Sequence, residues 1–352
     1  MSTEAQPQAY IPEHLNGVDR WSKAYQLVTG CRGNRYTVRS RSANTWLTNA
    51  VGVRSLQRFC EAKGYVPLPV EISHLEEWVI DLADRGRTIK TIRTYLGGIC
   101  TWHRRHGHEL RTRLLLDTLK GIEAGAEPVQ QSKPLMAADL HEILDHLDQD
   151  RVADVRAGAL LCLLLACSLR SAEACGLDWQ RQGDNRERDV NRGFIAEHPK
   201  GLEVVLTRTK TSRKEQRLPV PVARMPRTVE WARRWAELAR TQAGEPLIRA
   251  LRKGGKGGII TGNRLAPKAV TAIVRRYVAQ HLIRTGMDPA MARVAALDYS
   301  SHAGRSGFLS TGAAAGTKEW QLRERSRHKT PDVAAGYVRL QSGWDTDWGF
   351  KL

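Results

Sequence analysis

A polar segment at residues 124–134, AGAEPVQQSKP, interrupts the hydrophobic pattern of the chain and limits the folds that it can adopt. The segment contains two prolines and no apolar stripe at helical spacing, which is typical of a linker between domains. The chain has 352 residues, enough for about two domains of 100 to 200 residues each. We therefore predict two domains joined by this linker.

The region before the linker is predicted to be an arm followed by helices. Residues 1–41 contain scattered Gln, Pro and Gly and end in a basic run, which indicates an extended or partly ordered N-terminal arm. Apolar residues then recur close to helical spacing. The helices predicted from this pattern run from Ser42 to Gly64, from a capping box at Ser73–Glu76 to Gly86, from Thr88 onward and over 110–122. Residues 42–123 are thus expected to form a compact all-helical domain.

The region after the linker combines two periodicities. Helical spacing recurs over 136–147, 152–169, 227–242, 267–285, 306–315 and 318–327. Between these runs, EVVLT at 203–207 and RLPVPV at 217–222 are predicted as short strands on either side of a basic turn, RTKTSRKEQ, and so as a hairpin. The expected fold class is mainly α with a small β-sheet, with a second domain at 135–338 and a tail at 339–352.

The balance of charges indicates a polyanionic partner. There are 55 Lys and Arg residues against 37 Asp and Glu, a net charge of +18, and the pI is near 10.0. Because Lys and Arg release condensed counterions when they neutralise phosphates, this surplus is typical of proteins that bind nucleic acid. No apolar run reaches the roughly 18 residues that span a bilayer, so no membrane partner is expected.

The cysteines and the first residues indicate the compartment. None of the 6 cysteines forms a CxxC pair, so buried reduced thiols are expected. The first residues, MSTEAQPQAYIPEH, lack a basic region followed by an apolar one, so no secretory signal is expected. We therefore expect a cytoplasmic protein.

Residues suited to phosphate chemistry follow one another through the second domain. Arg170 lies after the apolar helix in SLRSAEACGLDW, with Glu173 three residues later. A lysine lies in the basic hairpin turn, and a His-x-x-Arg pair lies in YSSHAGRSG. A second histidine follows the arginine of that pair by 23 residues, and a tyrosine follows this histidine by nine. In chain order the set is Arg170, Lys210, His302, Arg305, His328 and Tyr337.

This order resembles the signature of the tyrosine recombinase (phage integrase) family, which runs Arg, Lys in a β turn, His-x-x-Arg, His or Trp, and a nucleophilic Tyr. The resemblance extends from Ser42 to the C-terminus and is to the Cre and Xer branches, with RTKT and GRSG closer to Cre. It implies a helical core-binding domain at 42–123 and a mixed α/β catalytic domain at 135–338. The chain departs from the family pattern in HAGRS, where H-x-L-R-H is common, in Arg327, where Gly is usual, and in Ala334, where Thr is common.

The resemblance implies how these side chains divide the chemistry of DNA strand transfer. Arg170 and Arg305 bind the non-bridging oxygens of the phosphate, for which the planar fork of a guanidinium is suited. His328 adds a hydrogen bond to the phosphate, while His302 exchanges a proton with the nucleophile Tyr337. The covalent 3′-phosphotyrosyl bond keeps the energy of the broken strand, so neither a metal nor another cofactor is expected.

Several residues have alternative interpretations. Lys210 is expected to protonate the leaving 5′ oxygen, with Lys214 of the same turn as the alternative. Glu173 either supports the site or is a surface helix charge. The run HRRHGH, with His103, His106 and His108, is predicted to be a basic helix end, since no Cys or carboxylate pattern completes a metal site. KGGKGGIITG at 253–262 does not match Walker A and is predicted to be a flexible loop.

The implied partner is double-stranded DNA with short inverted core sites. A homotetramer on two sites would exchange strands through a Holliday junction, in the nucleoid and for a mobile element. A type IB topoisomerase and a non-catalytic DNA-binding protein are the alternatives. Trp344 and Trp348 in the tail pack either on their own domain or on a neighbouring protomer. The residues predicted to contact DNA are Arg87, Lys90, Arg93, Arg208, Arg213 and Lys214.

Overall fold

The computed structural model describes residues 18–31, 40–127, 131–181, 193–207 and 214–328. The chain divides into two units, Met1–Val129 and Gln130–Leu352, and the division lies within the segment predicted as a linker. No helix in the described ranges is long and apolar enough to cross a membrane.

The first unit is built from helices in its described residues. They are α1 (Val18–Thr29), α2 (Ala43–Lys63), α3 (Ile72–Asp84), α4 (Ile89–Arg105), a 3-10 turn at Thr112–Leu115, and α5 (Leu116–Ala124). Helix α2 follows Ser42, whose hydroxyl accepts the Thr45 N–H at 3.2 Å. It ends at Gly64, where φ is +73°, the left-handed conformation that favours glycine.

Helix α1 contradicts the prediction of an arm over residues 1–41. Its Ala24, Tyr25 and Val28 are buried in the core of the first unit. The Tyr25 ring meets Trp46 edge-on, with 4.8 Å between the ring centroids. Val18, Trp21, Tyr25 and Val28 recur at helical spacing in this helix. The sequence therefore contained a helical signal, which the polar, Pro- and Gly-containing residues before it obscured. Residues 1–17 and 32–39 of the predicted arm lie outside the described residues.

Helix α3 begins before the predicted capping box, so that prediction is wrong. Glu71 precedes the helix without a side-chain cap, and Ser73 lies inside the first turn. The segment before the helix is held by Val70, whose N–H donates to Nε2 of His103 at 3.1 Å. A bond between residues so far apart in the chain leaves no local sequence signal.

The run HRRHGH lies at a basic helix end, as predicted, but His103 itself is a core residue. Its side chain is fully buried, and Nδ1 bonds the Ile99 carbonyl at 3.0 Å. Burial lowers the pKa of His103, so the ring is neutral, with Nδ1 as donor and Nε2 as acceptor. Among the described residues, no group of His, Cys, Asp and Glu is placed to hold a metal ion.

The second unit combines helices with a mixed sheet. Its helices are α6 (Ala137–Asp145), α7 (Val152–Ala166), α8 (Ser171–Gly176), α9 (Pro226–Leu238), α10 (Ala269–Arg284), α11 (Pro289–Ala295), α12 (Ala303–Ala314) and α13 (Glu319–Ser326), with a 3-10 turn at Ala296–Asp298. Its strands are β1 (Leu177–Trp179), β2 (Gly193–His198), β3 (Gly201–Leu206), β4 (Gln216–Pro221), β5 (Glu245–Pro246), β6 (Arg249–Arg252) and β7 (Ile259–Arg264). One sheet has the order β4-β3-β2-β1-β5, and β6 pairs with β7. Strands β1 and β2 are parallel, and the other neighbours are antiparallel.

The predicted hairpin is present as β3 and β4, which pair from Gly201 with Pro221 to Leu206 with Gln216. The sheet is larger than predicted, and the segment expected to be a flexible loop, 253–262, contains the start of β7. Strands β1 and β5 have only 3 and 2 residues, too few to show a period of two. Strand β7 is largely exposed, so it has no apolar face to detect.

Helix α7 is buried around most of its circumference. Gly158 allows close contact with α9, since a Cβ at that position would lie 2.4 Å from the Trp231 ring. After α7 ends, the chain turns at Ser168, where φ is +48°, and Arg170 then precedes α8. The burial of α7 therefore determines where Arg170 lies.

The contact between α2 and α4 provides a test with two neighbouring glycines. A Cβ on Gly98 would lie 2.8 Å from the Asn49 Cα, whereas a Cβ on Gly97 meets nothing within 4 Å. We expect Gly98→Ala to destabilise the protein by about 1 to 3 kcal/mol through overpacking. Gly97→Ala should stabilise it by about 1 kcal/mol through helix propensity. Urea unfolding measures both free energies, and effects of the same sign would contradict the close packing.

Candidate active site

The carbonyl end of α7, residues 166–168, is bound by arginines from the C-terminal part of the second unit. A helix end leaves its last carbonyls without partners inside the helix and carries partial negative charge. Nη1 of Arg305 donates to the Ser168 carbonyl at 2.6 Å. Arg327 donates to the same carbonyl at 2.9 Å and to that of Cys167 at 3.2 Å. These bonds join the segment before Arg170 to α12 and to the end of α13.

Arg325 makes a further contact with this helix end and extends it to the hairpin. Its Nε donates to the Ala166 carbonyl at 2.8 Å. Its Nη2 donates to the Pro219 carbonyl in β4 at 2.9 Å. Since β3 and β4 flank the turn sequence that contains Lys210, Arg325 connects α7, α13 and the hairpin.

Glu173 lies between two arginines. It accepts the backbone N–H of Arg170 at 2.9 Å and Nη1 of the same residue at 2.8 Å. From a second direction, Nη2 of Arg327 donates to Oε2 of Glu173 at 2.8 Å. The glutamate side chain is 9% exposed, so its interpretation as a surface helix charge is wrong. The carboxylate instead links the start of α8 to the end of α13.

His328 is held as a neutral ring in contact with a buried arginine. Arg305 is 2% exposed, and its Nη2 lies 3.1 Å from Nε2 of His328 while also donating to the Ser326 carbonyl. An arginine can only donate, so Nε2 is the acceptor and the ring proton is on Nδ1, which lies 2.9 Å from Oγ of Ser326. Burial and then the neighbouring guanidiniums, that of Arg305 first, lower the pKa of His328 to about 4.

His302 lies immediately before α12 and is exposed. Its pKa is nevertheless lowered, because the surrounding protein displaces part of the water around the ring and the charges of Arg305 and Arg170 oppose its protonation. Both histidines are therefore neutral near pH 7. A neutral imidazole can accept a proton, which is the role expected of His302.

The structure brings several of the predicted site residues together beside the carbonyl end of α7. With Arg327 they form the α7 cluster, which consists of Arg170, Glu173, His302, Arg305, Arg327 and His328. The predicted residues that lie outside the described residues are Lys210, Tyr337, Arg208, Arg213, Trp344 and Trp348. Lys214 is exposed, two residues before β4.

Arg325 and Arg327 were missed as site residues by reasoning from the sequence. Arg327 and Glu173 are 154 residues apart, and a contact over that separation produces no spacing pattern. The one available signal was the substitution itself, a charged side chain where the resemblance leads one to expect glycine.

The fold is shared with solved DNA integrases and recombinases, although no protein-family model matches the chain. A curated relative, an integrase/recombinase xerD homolog from Selenomonas ruminantium, is 19% identical over 319 residues, which cover 87% of this chain and 84% of the relative. The Tn1549 transposon integrase, solved in complex with transposon right end DNA, has a TM-score of 0.56 and 18% identity, with 93% of this chain and 96% of that chain covered. The chain has the fold of the tyrosine recombinases. A lambda integrase dimer bound to a core site shows the same fold, with a TM-score of 0.54 and 14% identity over 93% of this chain and 97% of that one.

The tyrosine recombinase fold confirms the predicted family resemblance and fold class, mainly α with a small β-sheet. The XerH site-specific recombinase bound to palindromic difH substrate has a TM-score of 0.56 at 13% identity, with 94% of this chain and 85% of that chain covered. The similarity extends over nearly the whole chain, so it includes the helical first unit as well as the unit with the α7 cluster.

Three residues predicted to contact DNA lie just before α4 or in its first two turns in this tyrosine recombinase fold. Arg87 and Lys90 are exposed. Arg93 is also exposed, but two of its nitrogens bond the Glu123 carboxylate of α5 at 2.7 and 3.2 Å. Because this ion pair uses part of the Arg93 guanidinium, Arg87 and Lys90 are the stronger candidates for phosphate contact.

The neutral state of His328 can be tested by titration. A histidine in an unfolded chain has a pKa of about 6.5, whereas folding lowers the pKa of His328 to about 4. The unfolded chain therefore binds more protons between these values, so the stability that His328 contributes is complete above about pH 6.5 and is lost as the pH falls toward about 4. We expect NMR at pH 6 to show a neutral ring protonated on Nδ1, assigned by comparison with His328→Gln. An ordinary midpoint near pH 6.5 would contradict this arrangement.

Proposed function

We propose that this chain is a site-specific DNA recombinase that cleaves and rejoins DNA strands through a 3′-phosphotyrosyl bond. The observation that carries the proposal is the α7 cluster, in which Arg170 and Arg305 lie beside two neutral histidines, within the fold of the tyrosine recombinases. The similarity to the Tn1549 transposon integrase supports a role in a mobile element, where the recombinase would carry out integration, excision or cointegrate resolution.

The charges of the α7 cluster suit a phosphodiester. Three guanidiniums, those of Arg170, Arg305 and Arg327, stand against the single carboxylate of Glu173, because both histidines are neutral. Such a surplus stabilises the negative charge that spreads over the non-bridging oxygens as the phosphate is attacked. In the proposed reaction these cations would also reduce the cost of ionising Tyr337, which for an unaided tyrosine with a pKa of about 10 is about 4 kcal/mol at pH 7.

The proposed reaction exchanges one phosphate ester for another. The Tyr337 oxygen attacks the phosphorus, its proton passes to His302, and the bond between phosphorus and the 5′ oxygen breaks. Lys210 gives a proton to that oxygen, with Lys214 as the alternative donor. The ester to Tyr337 is of the same kind as the ester that broke, so attack by a 5′ hydroxyl rejoins the strand without ATP or a metal.

We further propose that the helical first unit is a core-binding domain and the second unit the catalytic domain. Four copies on two short inverted core sites would exchange strands of double-stranded DNA through a Holliday junction, in the cytoplasm. The lambda integrase structure is a dimer on a core site, and XerH was solved on a palindromic substrate, which supports pairs of protomers on symmetric DNA. The net charge of +18 supports contact with the phosphates.

The first test of the function is the covalent adduct. The full chain is incubated in EDTA with DNA from the flanks of its own gene, including nicked suicide substrates, and the products are separated in SDS. We expect a resistant adduct with the wild type and none with Tyr337→Phe, since phenylalanine lacks the attacking oxygen. Mapping the attached 3′ end then gives the cleavage site.

Each other outcome of this experiment has its own meaning. An adduct that persists in Tyr337→Phe would identify another nucleophile. Binding without an adduct on every flank would favour a non-catalytic DNA-binding protein. Relaxation of plasmids by a monomer that never exchanges sites would favour a type IB topoisomerase.

DNA binding by the first unit is tested by its salt dependence. We expect Lys90→Ala to weaken binding about equally for all sequences and to reduce the slope of log affinity against log salt by about 1. Arg93→Ala should change the slope less, because Arg93 is paired with Glu123. Fluorescence anisotropy between about 50 and 200 mM salt measures both slopes. A loss in Lys90→Ala that depends on sequence would instead indicate a base contact.

A further inference from the structure

Arg327 occupies a backbone conformation that disfavours it. It ends α13 with φ at +61° and ψ at +37°, in the left-handed region. The next N–H, that of His328, reaches back to the Arg323 carbonyl at 3.2 Å. Glycine is usual in this kind of helix ending, because a Cβ is disfavoured there. The arginine side chain must therefore make contacts that offset the backbone cost.

The contacts of the Arg327 side chain are buried and directional. The side chain is 3% exposed. Its Nη2 donates both to the Ser168 carbonyl at 2.9 Å and to Oε2 of Glu173 at 2.8 Å. Its Nη1 donates to the Cys167 carbonyl at 3.2 Å. One side chain thus joins the carbonyl end of α7 to the carboxylate that holds Arg170.

The two carboxylate oxygens of Glu173 accept hydrogen bonds from different donors, and this arrangement affects the direction in which the Arg170 guanidinium points. A carboxylate that faces a single arginine is often bound by both arms of the guanidinium fork. Here Oε1 accepts from Nη1 of Arg170, while Oε2 accepts from the Arg170 backbone N–H and from Nη2 of Arg327. Because Oε2 already accepts from the Arg170 N–H and from Arg327, Arg170 commits one terminal nitrogen to Glu173. Within the described residues its other side-chain donors make no further bond, which suits them to a phosphate.

We propose that Arg327 is a positioning residue for strand cleavage, which acts through Glu173 to keep the Arg170 guanidinium directed at the phosphate. The inference rests on the proposed function and deepens it, because Arg327 itself need not touch the DNA. It also accounts for an arginine in a conformation that favours glycine.

Arg327→Gly is the central variant, because glycine suits the backbone and removes only the side-chain contacts. On a nicked suicide substrate we expect the single-turnover rate constant for adduct formation to fall about 10- to 100-fold, as for other residues that orient a reacting group. DNA affinity should stay within about twofold, since the loss lies in the chemical step. An unchanged rate constant overturns the proposal. If the glycine variant fails to fold, Arg327→Lys provides the same comparison, because an ammonium cannot replace the planar fork.

A double-mutant cycle separates positioning from general weakening of the fold. If Arg327 acts through Glu173, the loss caused by Arg327→Gly should shrink to about threefold or less in a Glu173→Gln background. Arg325→Ala is the matched control, because it removes a guanidinium from the same helix end but its bonds go to the Ala166 and Pro219 carbonyls. The fold-loss in the rate constant caused by Arg325→Ala should multiply with the fold-loss caused by Glu173→Gln in the double variant. Independent, multiplicative losses for Arg327→Gly would overturn the proposal.

A measurement in the free protein keeps this inference distinct from the proposed function. Absence of an adduct in the wild type would reject the recombinase activity but would leave the geometric claim open to NMR. We expect the Arg170 guanidinium resonance, assigned with Arg170→Lys, to report an ordered group in the wild type and in Arg325→Ala. The same group should be mobile in Arg327→Gly. An Arg170 guanidinium that is equally ordered in Arg327→Gly would reject the positioning role.

Discussion

The carbonyl end of α7 presents partial negative charge in a part of the protein from which water is largely excluded. Charge-assisted hydrogen bonds to such carbonyls are stronger than neutral ones and are worth about 1.5 to 3 kcal/mol each. They also reduce the cost of burying guanidiniums such as that of Arg305, which is 2% exposed. Because core packing holds α7 in place, the Arg305 and Arg327 side chains that bond its end are held in place as well. The remainder of the site is assembled around this contact.

A consequence of gathering cations at one helix end is that the histidines among them stay neutral. The guanidiniums oppose protonation of His302 and His328, in addition to the effect of burial. The division of labour is then clear in chemical terms. In the proposed reaction the arginines would supply permanent charge to the phosphate, while His302, which carries no charge at neutral pH, would exchange the proton. Glu173 binds Arg170 and Arg327, and its single negative charge leaves the α7 cluster with a net positive charge.

The sequence predicted those features that depend on local patterns. Helical periods and two short strand-like runs indicated a mainly α chain with a small sheet. The β3–β4 hairpin follows from a short apolar run and a short alternating run on either side of a basic turn. The ordered motif identified Arg170, His302, Arg305 and His328, and the structure brings these four together with Glu173, which was predicted separately to support the site or to be a surface charge. Their catalytic roles rest on the resemblance, and Lys210 and Tyr337 lie outside the described residues.

Most of the features that sequence reasoning missed depend on contacts between distant parts of the chain. The start of α3 is held by His103 from the end of α4. Helix α1 differs, because its apolar residues recur at helical spacing in the sequence itself. The strands β1 and β5 are defined by their neighbours in the sheet rather than by their own few residues. The role of Arg327 could not be predicted from the residues around it, because its partner Glu173 is far away in the chain.

The bonds of Arg325 to the Ala166 and Pro219 carbonyls have a mechanical consequence. Through these bonds, the hairpin and the segment that leads to His328 are both attached to the end of α7, which is packed in the core. A displacement of strand β4 would therefore load the same helix end that Arg305 and Arg327 bind. In this way a residue outside the predicted signature makes the sheet and the α7 cluster parts of one mechanical unit.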